Sequence, residues 1–215
     1  QYVTRSIAKN LKRHKLSSFK IIQFNFYWQE SLTNKSLSYM LNLLSHHLTQ
    51  IQNLSFVFKS SYFDDQYLEN LGNIIYRSLP ELRKLKIEFN DRDNFTNKGL
   101  KCLFGKRSYN NAKKLEKFVI VFHDFEKLSD NGMKILISGI SKQFGDLKYL
   151  EINIKGAFGL TDNCLESIKK YVERMKKLET FVFNLDWCFA IDDDMFYELK
   201  KELEGKIKNV EMEMH

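Results

Sequence analysis

Leu82-Arg83-Lys84-Leu85-Lys86-Ile87-Glu88-Phe89 opens with an apolar anchor and then, from Leu85, places an apolar residue at every second position. A strand sends successive side chains to opposite faces, so this pattern predicts a strand with one buried face. The phrase recurs as Leu115-x-x-Phe118-x-Ile120-x-Phe122, Leu147-x-x-Leu150-x-Ile152-x-Ile154 and Leu178-x-x-Phe181-x-Phe183-x-Leu185. Upstream lie Phe19-x-x-Ile22-x-Phe24-x-Phe26 and Ile51-x-x-Leu54-x-Phe56-x-Phe58, and downstream Ile207-x-x-Val210-x-Met212-x-Met214. The second anchor falls at 22, 54, 85, 118, 150, 181 and 210, in steps of 32, 31, 33, 32, 31 and 29. A period this regular is the signature of a repeat architecture.

Between the strand phrases a second pattern returns: Leu32-Thr33, Phe63-Asp64, Phe95-Thr96, Leu128-Ser129, Leu160-Thr161 and Ile191-Asp192. Thr, Ser and Asp cap helices, because the side-chain oxygen accepts an orphan backbone N–H. Four residues beyond each cap stands an apolar residue (Leu37, Leu68, Leu100, Met133, Leu165, Phe196), the spacing of a hydrophobic staple. Helical spacing follows: Met133, Leu136, Ile137, Ile140 and Phe144 share one face, as do Leu165, Ile168, Val172 and Met175.

Each unit is therefore strand, loop, helix and return, and strands joined through helices run parallel. A sheet covered on both faces would read as continuous apolar runs. Here Glu151, Asn153 and Lys155 alternate with Leu150, Ile152 and Ile154, so the helices cover one face only. Helices are wider than the strand spacing, which bends the stack with strands inside and helices outside. The expected fold is an α/β horseshoe solenoid of about seven strand–helix units. One domain spans 1–215: residues 1–18 form the helix of a preceding or capping unit, residues 19–215 hold seven strands, and the whole is expected to belong to a longer array.

On these phrases the sequence resembles the leucine-rich repeats, in the long-repeat subclass typified by ribonuclease inhibitor. The resemblance covers nearly the whole chain. It departs where the family ends its strand segment with Asn or Cys: Asn90 fits, but Tyr27, Lys59, His123, Lys155, Asp186 and His215 do not. An additional inward apolar residue (Phe58, Phe89, Phe122, Ile154, Leu185) is expected to do comparable structural work by packing. The resemblance implies a binding protein, with settings that include cytoskeletal and ciliary complexes and ubiquitin-ligase substrate receptors.

Composition narrows the function. The 215 residues are 43% hydrophobic and 28% charged, which excludes a disordered chain. No apolar run approaches the roughly 18 residues of a membrane helix, so integral membrane association is not expected. Three widely spaced cysteines fit a reducing compartment rather than a disulfide framework, and place the protein inside the cell, in the cytoplasm. The net charge of +7 rests on 34 basic residues of which only seven are arginine, the residue best suited to phosphate and base edges, so nucleic acid is the lesser partner reading.

Chemical motifs are wanting. There is no phosphate-cradling glycine loop, dinucleotide fingerprint or nucleophile elbow, and neither catalytic residues, nor a metal, nor a cofactor are expected. Asp192-Asp193-Asp194 falls at a helix start, where carboxylates favour the dipole. His46-His47 lacks the three- or four-residue spacing of a metal pair on a helix. Cys102 and Cys164 are expected in the core, and Cys188 in a loop open to solvent. Arg92 is the one arginine placed to act as a loop finger, the basis of an enzyme-regulator reading.

The binding candidates are the outward strand residues, which form ladders across units: Lys84, Lys86, Glu88, Lys117, Val119, Val121, Tyr149, Glu151, Asn153, Val182 and Asn184. Lysines gather in the middle units and acids (Glu151, Asp186, Glu211, Glu213) toward the C-terminal end, with valines as apolar ground between them. Such a mixture suits protein partners in a multi-subunit assembly. Trp28, Phe125 and Trp187 mark the strand-end loops, either as interface anchors or folded back over the strands. The lysine-rich convex face, on helices at 9–15 and 169–177 and near the helix-to-strand return at 106–114, reads either as a solvated face or as a footing on an acidic surface. The leading expectation is a non-catalytic interaction scaffold, in a cytoskeletal or ciliary setting. A basic RNA-associated or ribonucleoprotein component, and an enzyme regulator or ligase-type receptor, are the alternatives.

Overall fold

The computed structural model describes residues 20–27, 49–59, 64–90, 95–104 and 112–215. Outside them lie the expected helix at 1–18, the Thr33 cap with its Leu37 staple, and the residues His46, His47, Arg92 and Trp28. Within them the strands are β1 (Ile21–Tyr27), β2 (Asn53–Lys59), β3 (Lys84–Phe89), β4 (Lys117–His123), β5 (Tyr149–Lys155), β6 (Thr180–Asp186) and β7 (Asn209–Met214). Five helices are described: α1 (Asp65–Ser78) between β2 and β3, α2 (Asn97–Phe104), α3 (Asp130–Gln143), α4 (Asn163–Val172) and α5 (Asp193–Glu204), each between the next two strands.

All seven strands form one open parallel sheet in sequence order. The fold is thus the leucine-rich-repeat-like solenoid expected from the sequence. Register follows the phrases: Ile22, Leu54, Leu85, Phe118, Leu150, Phe181 and Val210 are successive Cα partners. The carbonyl just before each of β1 to β5 accepts two N–H groups from the next unit, and Glu179 O, before β6, accepts one, from Asn209 N. Arg83 O, for example, takes Glu116 N at 2.8 Å and Lys117 N at 3.0 Å, and Lys148 O takes Glu179 N at 2.8 Å and Thr180 N at 3.0 Å. These acceptors start each following strand at the same height.

The inward strand residues meet the helix stripes in one continuous core. Phe58, Phe89, Phe122, Ile154 and Leu185, the additional inward positions, are all buried. The phenylalanines stack across units, Phe58 on Phe89 at 5.8 Å and Phe89 on Phe122 at 5.5 Å between ring centres. These side chains fill the core at the strand ends, both in the unit that has the consensus asparagine, Asn90, and in those that lack it.

Three of the caps form as read, while α4 starts at Asp162 without a side-chain cap bond, and the helix starts tie the units together as well. Asp64, Ser129 and Asp192 accept from Tyr67 N, Gly132 N and Met195 N. The residue after the cap then reaches into the following unit. Asp65 accepts from Thr96 N at 2.7 Å, Asp130 from Thr161 N at 2.8 Å, and Asp162 from Asp192 N at 2.8 Å. Gly99 keeps room for the first of these carboxylates: a Cβ there would stand 2.5 Å from Asp65 Oδ1.

The strand-end loops share one device. Asp124, Gly156 and Trp187, each two residues past a strand's last inward side chain, have φ of 52°, 68° and 56°. That left-handed turn swings the next residue (Phe125, Ala157 or Cys188) back into the core. Of the two alternatives for Phe125 the structure takes the second: only 3% exposed, it folds back and stacks on Phe95 at 4.6 Å and Phe122 at 5.6 Å. One expectation is corrected. Cys188 is buried rather than open to solvent, while Cys102 is the least covered of the three free thiols. No helix among the described residues is long and apolar enough to cross a membrane.

Candidate protein-binding face

The outward ladders are in register as read. One row runs Gln23, Ser55, Lys86, Val119, Glu151, Val182, Glu211, and a second Asn25, Val57, Glu88, Val121, Asn153, Asn184, Glu213. The third runs Ile21, Asn53, Lys84, Lys117, Tyr149, Thr180, Asn209. The structure therefore brings all eleven expected face residues together.

It differs in what that face displays. Val57, Val119, Val121 and Val182 are buried. Adjacent strands lie under about 5 Å apart, so longer side chains on either side cover a short branched one. The valines are the floor, and the exposed chemistry is charged and polar.

That chemistry divides by strand. On β3 and β4, Lys84 and Lys117 are direct register partners. Like charges so placed repel. Lys117 answers by laying its ammonium 3.6 Å from the centre of the Tyr149 ring. Lys84 is exposed and has no ion-pair partner among the described residues. Lys86 reaches Glu88 at 2.9 Å, and His123 approaches the other Glu88 oxygen at 3.3 Å, which makes a pair when the imidazole is protonated. A groove of about 360 Å³ opens here, walled by Lys84, Lys86 and Lys117 and bounded by Ile21, Val119 and Glu151.

On β5 and β6 the side chains hold one another. Tyr149 Oη donates to Glu151 Oε2 at 2.7 Å, and Asn153 Nδ2 to Glu151 Oε1 at 2.8 Å. Asn184 Nδ2 then donates to Asn153 Oδ1 at 3.0 Å. The Tyr149 hydroxyl is pushed well above the usual phenol range, first by burial, then by its hydrogen bond to Glu151 and the charges of Glu151 and Glu211. It is a fixed donor at any physiological pH, and it keeps the ring flat under Lys117.

The rim differs from loop to loop. Trp187 is 51% exposed, with Lys155 Nζ 4.2 Å from its ring centre. Phe158 and Phe189, 53% and 80% exposed, stack on each other at 6.3 Å. Sequence reasoning missed both. The usable signal was their place one residue after the inward loop position, where the preceding loop has the exposed Glu126.

Convex lysines are largely spoken for. Lys114 pairs with Glu81 at 2.6 Å and Lys177 with Asp146 at 2.8 Å, each in a neighbouring unit, and Lys169 pairs with Glu202. Arg174 and Lys170 lie against the Tyr171 ring. Lys106 and Arg107 are outside the described residues. Among the described residues no group of three or more His, Cys, Asp or Glu is placed to hold a metal ion. Burial raises the Cys164 and Cys188 thiols, so neither is a thiolate at neutral pH.

No protein-family model matches the sequence. No curated protein matches it either. Solved structures do. The C-terminal domain of tropomodulin from Caenorhabditis elegans is 16% identical at a TM-score of 0.53, over 80% of this chain and 92% of that one. Leiomodin-1 actin-binding site 2 is 16% identical at 0.52, over 78% of this chain and 87% of that one. At such identity the likeness is one of fold.

Proposed function

We propose that this protein is a non-catalytic interaction module that takes a protein partner on its concave face, within a cytoplasmic assembly. One observation carries the reading: the register pair Lys84 and Lys117 stands at the mouth of a groove without a carboxylate on Lys84, beside a hydrogen-bonded Tyr149–Glu151–Asn153 array that needs no rearrangement to meet a ligand. Pre-set polar groups lower the ordering cost of binding, and unpaired charge steers a complementary partner. The finer form is a cytoskeletal or ciliary partner. The leiomodin-1 segment of similar fold is an actin-binding site, which makes actin filaments the first surface to try.

The test is affinity capture from a native source with the wild type, with Lys84→Glu/Lys117→Glu, and with the convex control Lys170→Glu/Lys176→Glu. A defined set of proteins that survives moderate salt, is lost with the concave variant and is kept by the control supports the module. Captured nucleic acid that vanishes as salt rises would favour the RNA-associated reading instead. Co-sedimentation with actin filaments decides the finer form separately.

A further inference from the structure

The aromatic rim of the last two loops lies away from the groove and asks for its own explanation. Six large apolar side chains are exposed among the described residues, and five of them (Phe158, Trp187, Phe189, Met195 and Tyr197) belong to the loops after β5 and β6 or to α5. The fold does not require them there. The left-handed turn already fills the core with Ala157 and Cys188, and the residue that follows faces water, as Glu126 does one unit earlier. Phe158 and Phe189 stand in that solvent position in consecutive loops with their rings nearly parallel, 10° apart. Trp187 holds a left-handed backbone that suits glycine and is rare for a bulky side chain, and so keeps its indole at the rim.

The charge beside Phe189 is acidic, whereas the Trp187 ring carries Lys155 Nζ. Asp162, Asp192, Asp193 and Asp194 share a surface hollow of about 490 Å³ with Phe189. Asp162 and Asp192 are occupied with backbone N–H groups, whereas Asp193 and Asp194 are exposed and have no ion-pair partner among the described residues.

We infer that this rim is a second docking surface, and that its occupant is a basic, apolar-bearing peptide segment of a protein partner. Its aliphatic or aromatic side chains would lie on Phe158, Phe189 and Trp187, while its lysines or arginines face Asp193 and Asp194. Exposed Trp and Phe are the usual anchors of protein interfaces. Four aspartates repel phosphates, which sets nucleic acid aside although the rings could stack on bases. The surface is independent of the concave reading and opposite to it in charge.

A library of short random peptides, panned on the intact chain, tests the inference. Recovered peptides are expected to combine Lys or Arg with large apolar residues. Resynthesised, they should bind Phe158→Ser/Phe189→Ser about tenfold or more weakly, bind Asp193→Asn/Asp194→Asn several-fold more weakly, and bind Lys84→Glu/Lys117→Glu as well as the wild type. The Phe variant is expected to melt with the wild type, since neither ring is in the core. Acidic peptides, peptides indifferent to the Phe variant, or no peptide that depends on it would overturn the inference. So would a labelled single-stranded RNA whose binding is lost with the same variant, or self-association in sedimentation equilibrium that the variant abolishes; these would give the surface to nucleic acid or to a second copy. Failure of the concave variants alone leaves this result standing, and the reverse holds too.

Discussion

The loop after β4 and the loop after β6 are built on one backbone and put it to different ends. Asp124 and Trp187 both turn left-handed. Behind Asp124 a full phenylalanine turns inward and its successor Glu126 faces water; behind Trp187 a small Cys188 turns inward and its successor Phe189 is exposed. Aromatic mass has moved from the core position to the solvent position. The core around the later loop is complete without it, closed by Leu185, Ile191 and Phe196. One repeat unit thus separates two tasks that are often confounded, closing the end of a strand and presenting a surface, and the same residue type serves either according to its place after the turn.

The sharpest way to break this comparison is to truncate one ring in each loop. Phe125→Ala removes a ring packed between Phe95 and Phe122 and is expected to cost about 3–5 kcal/mol. Phe189→Ala is expected to change stability by no more than about 0.5 kcal/mol, as for a surface substitution clear of the core. Urea unfolding measures both. Equal losses would mean that Phe189 is part of the core, and the rim would lose its claim to be a surface.

A smaller effect tests the turn itself. Gly156 holds the left-handed position between those two loops, and a Cβ there would stand 3.2 Å from both the Cα and Oδ1 of Asp124 in the preceding loop. Gly156→Ala is expected to cost about 1–2 kcal/mol for the left-handed conformation alone, with the contact adding to it. A neutral result would show that the loops can leave this conformation, and that their shared geometry is not what points Phe125, Ala157 and Cys188 inward.

These loops also show where the sequence was legible. Strand phrases, caps and helix stripes come from spacing alone, because a period of two or near four records which face is buried. The ladder register followed, since every phrase starts at the same anchor. Less legible was depth on the outward face: Val119 and Val121 alternate like exposed residues yet lie under their neighbours, because coverage depends on adjacent strands rather than on the strand's own pattern. Phe125 was left open between rim and core, and Cys188 was misplaced, for a related reason. Nothing in their own identity says which way they face; the turn before them does, and a left-handed residue is evident in sequence only where it is glycine. The link from Asp65, Asp130 and Asp162 to the next unit was present in the sequence as an acid directly after each cap. It resembled the ordinary preference for acids at helix starts and so drew no separate notice.

Trp187 sharpens the comparison further, because removing the largest of these side chains is expected to change stability little. Trp187→Gly relieves a left-handed non-glycine residue, worth about 1–2 kcal/mol. Against that stand a looser unfolded chain, about 0.5–1 kcal/mol, and the lost contact of Lys155 with the indole, about 0.5–1 kcal/mol at an exposed site. The hydrogen bond from Trp187 N to His215 O at 2.8 Å survives, since it belongs to the backbone. The terms nearly cancel, so the unfolding free energy from urea titration is expected to change by less than about 1 kcal/mol while binding of a rim-directed peptide falls. A loss of stability comparable to that of Phe125→Ala would instead make Trp187 a structural plug on the last strand, and the residue at the rim would be there for the fold.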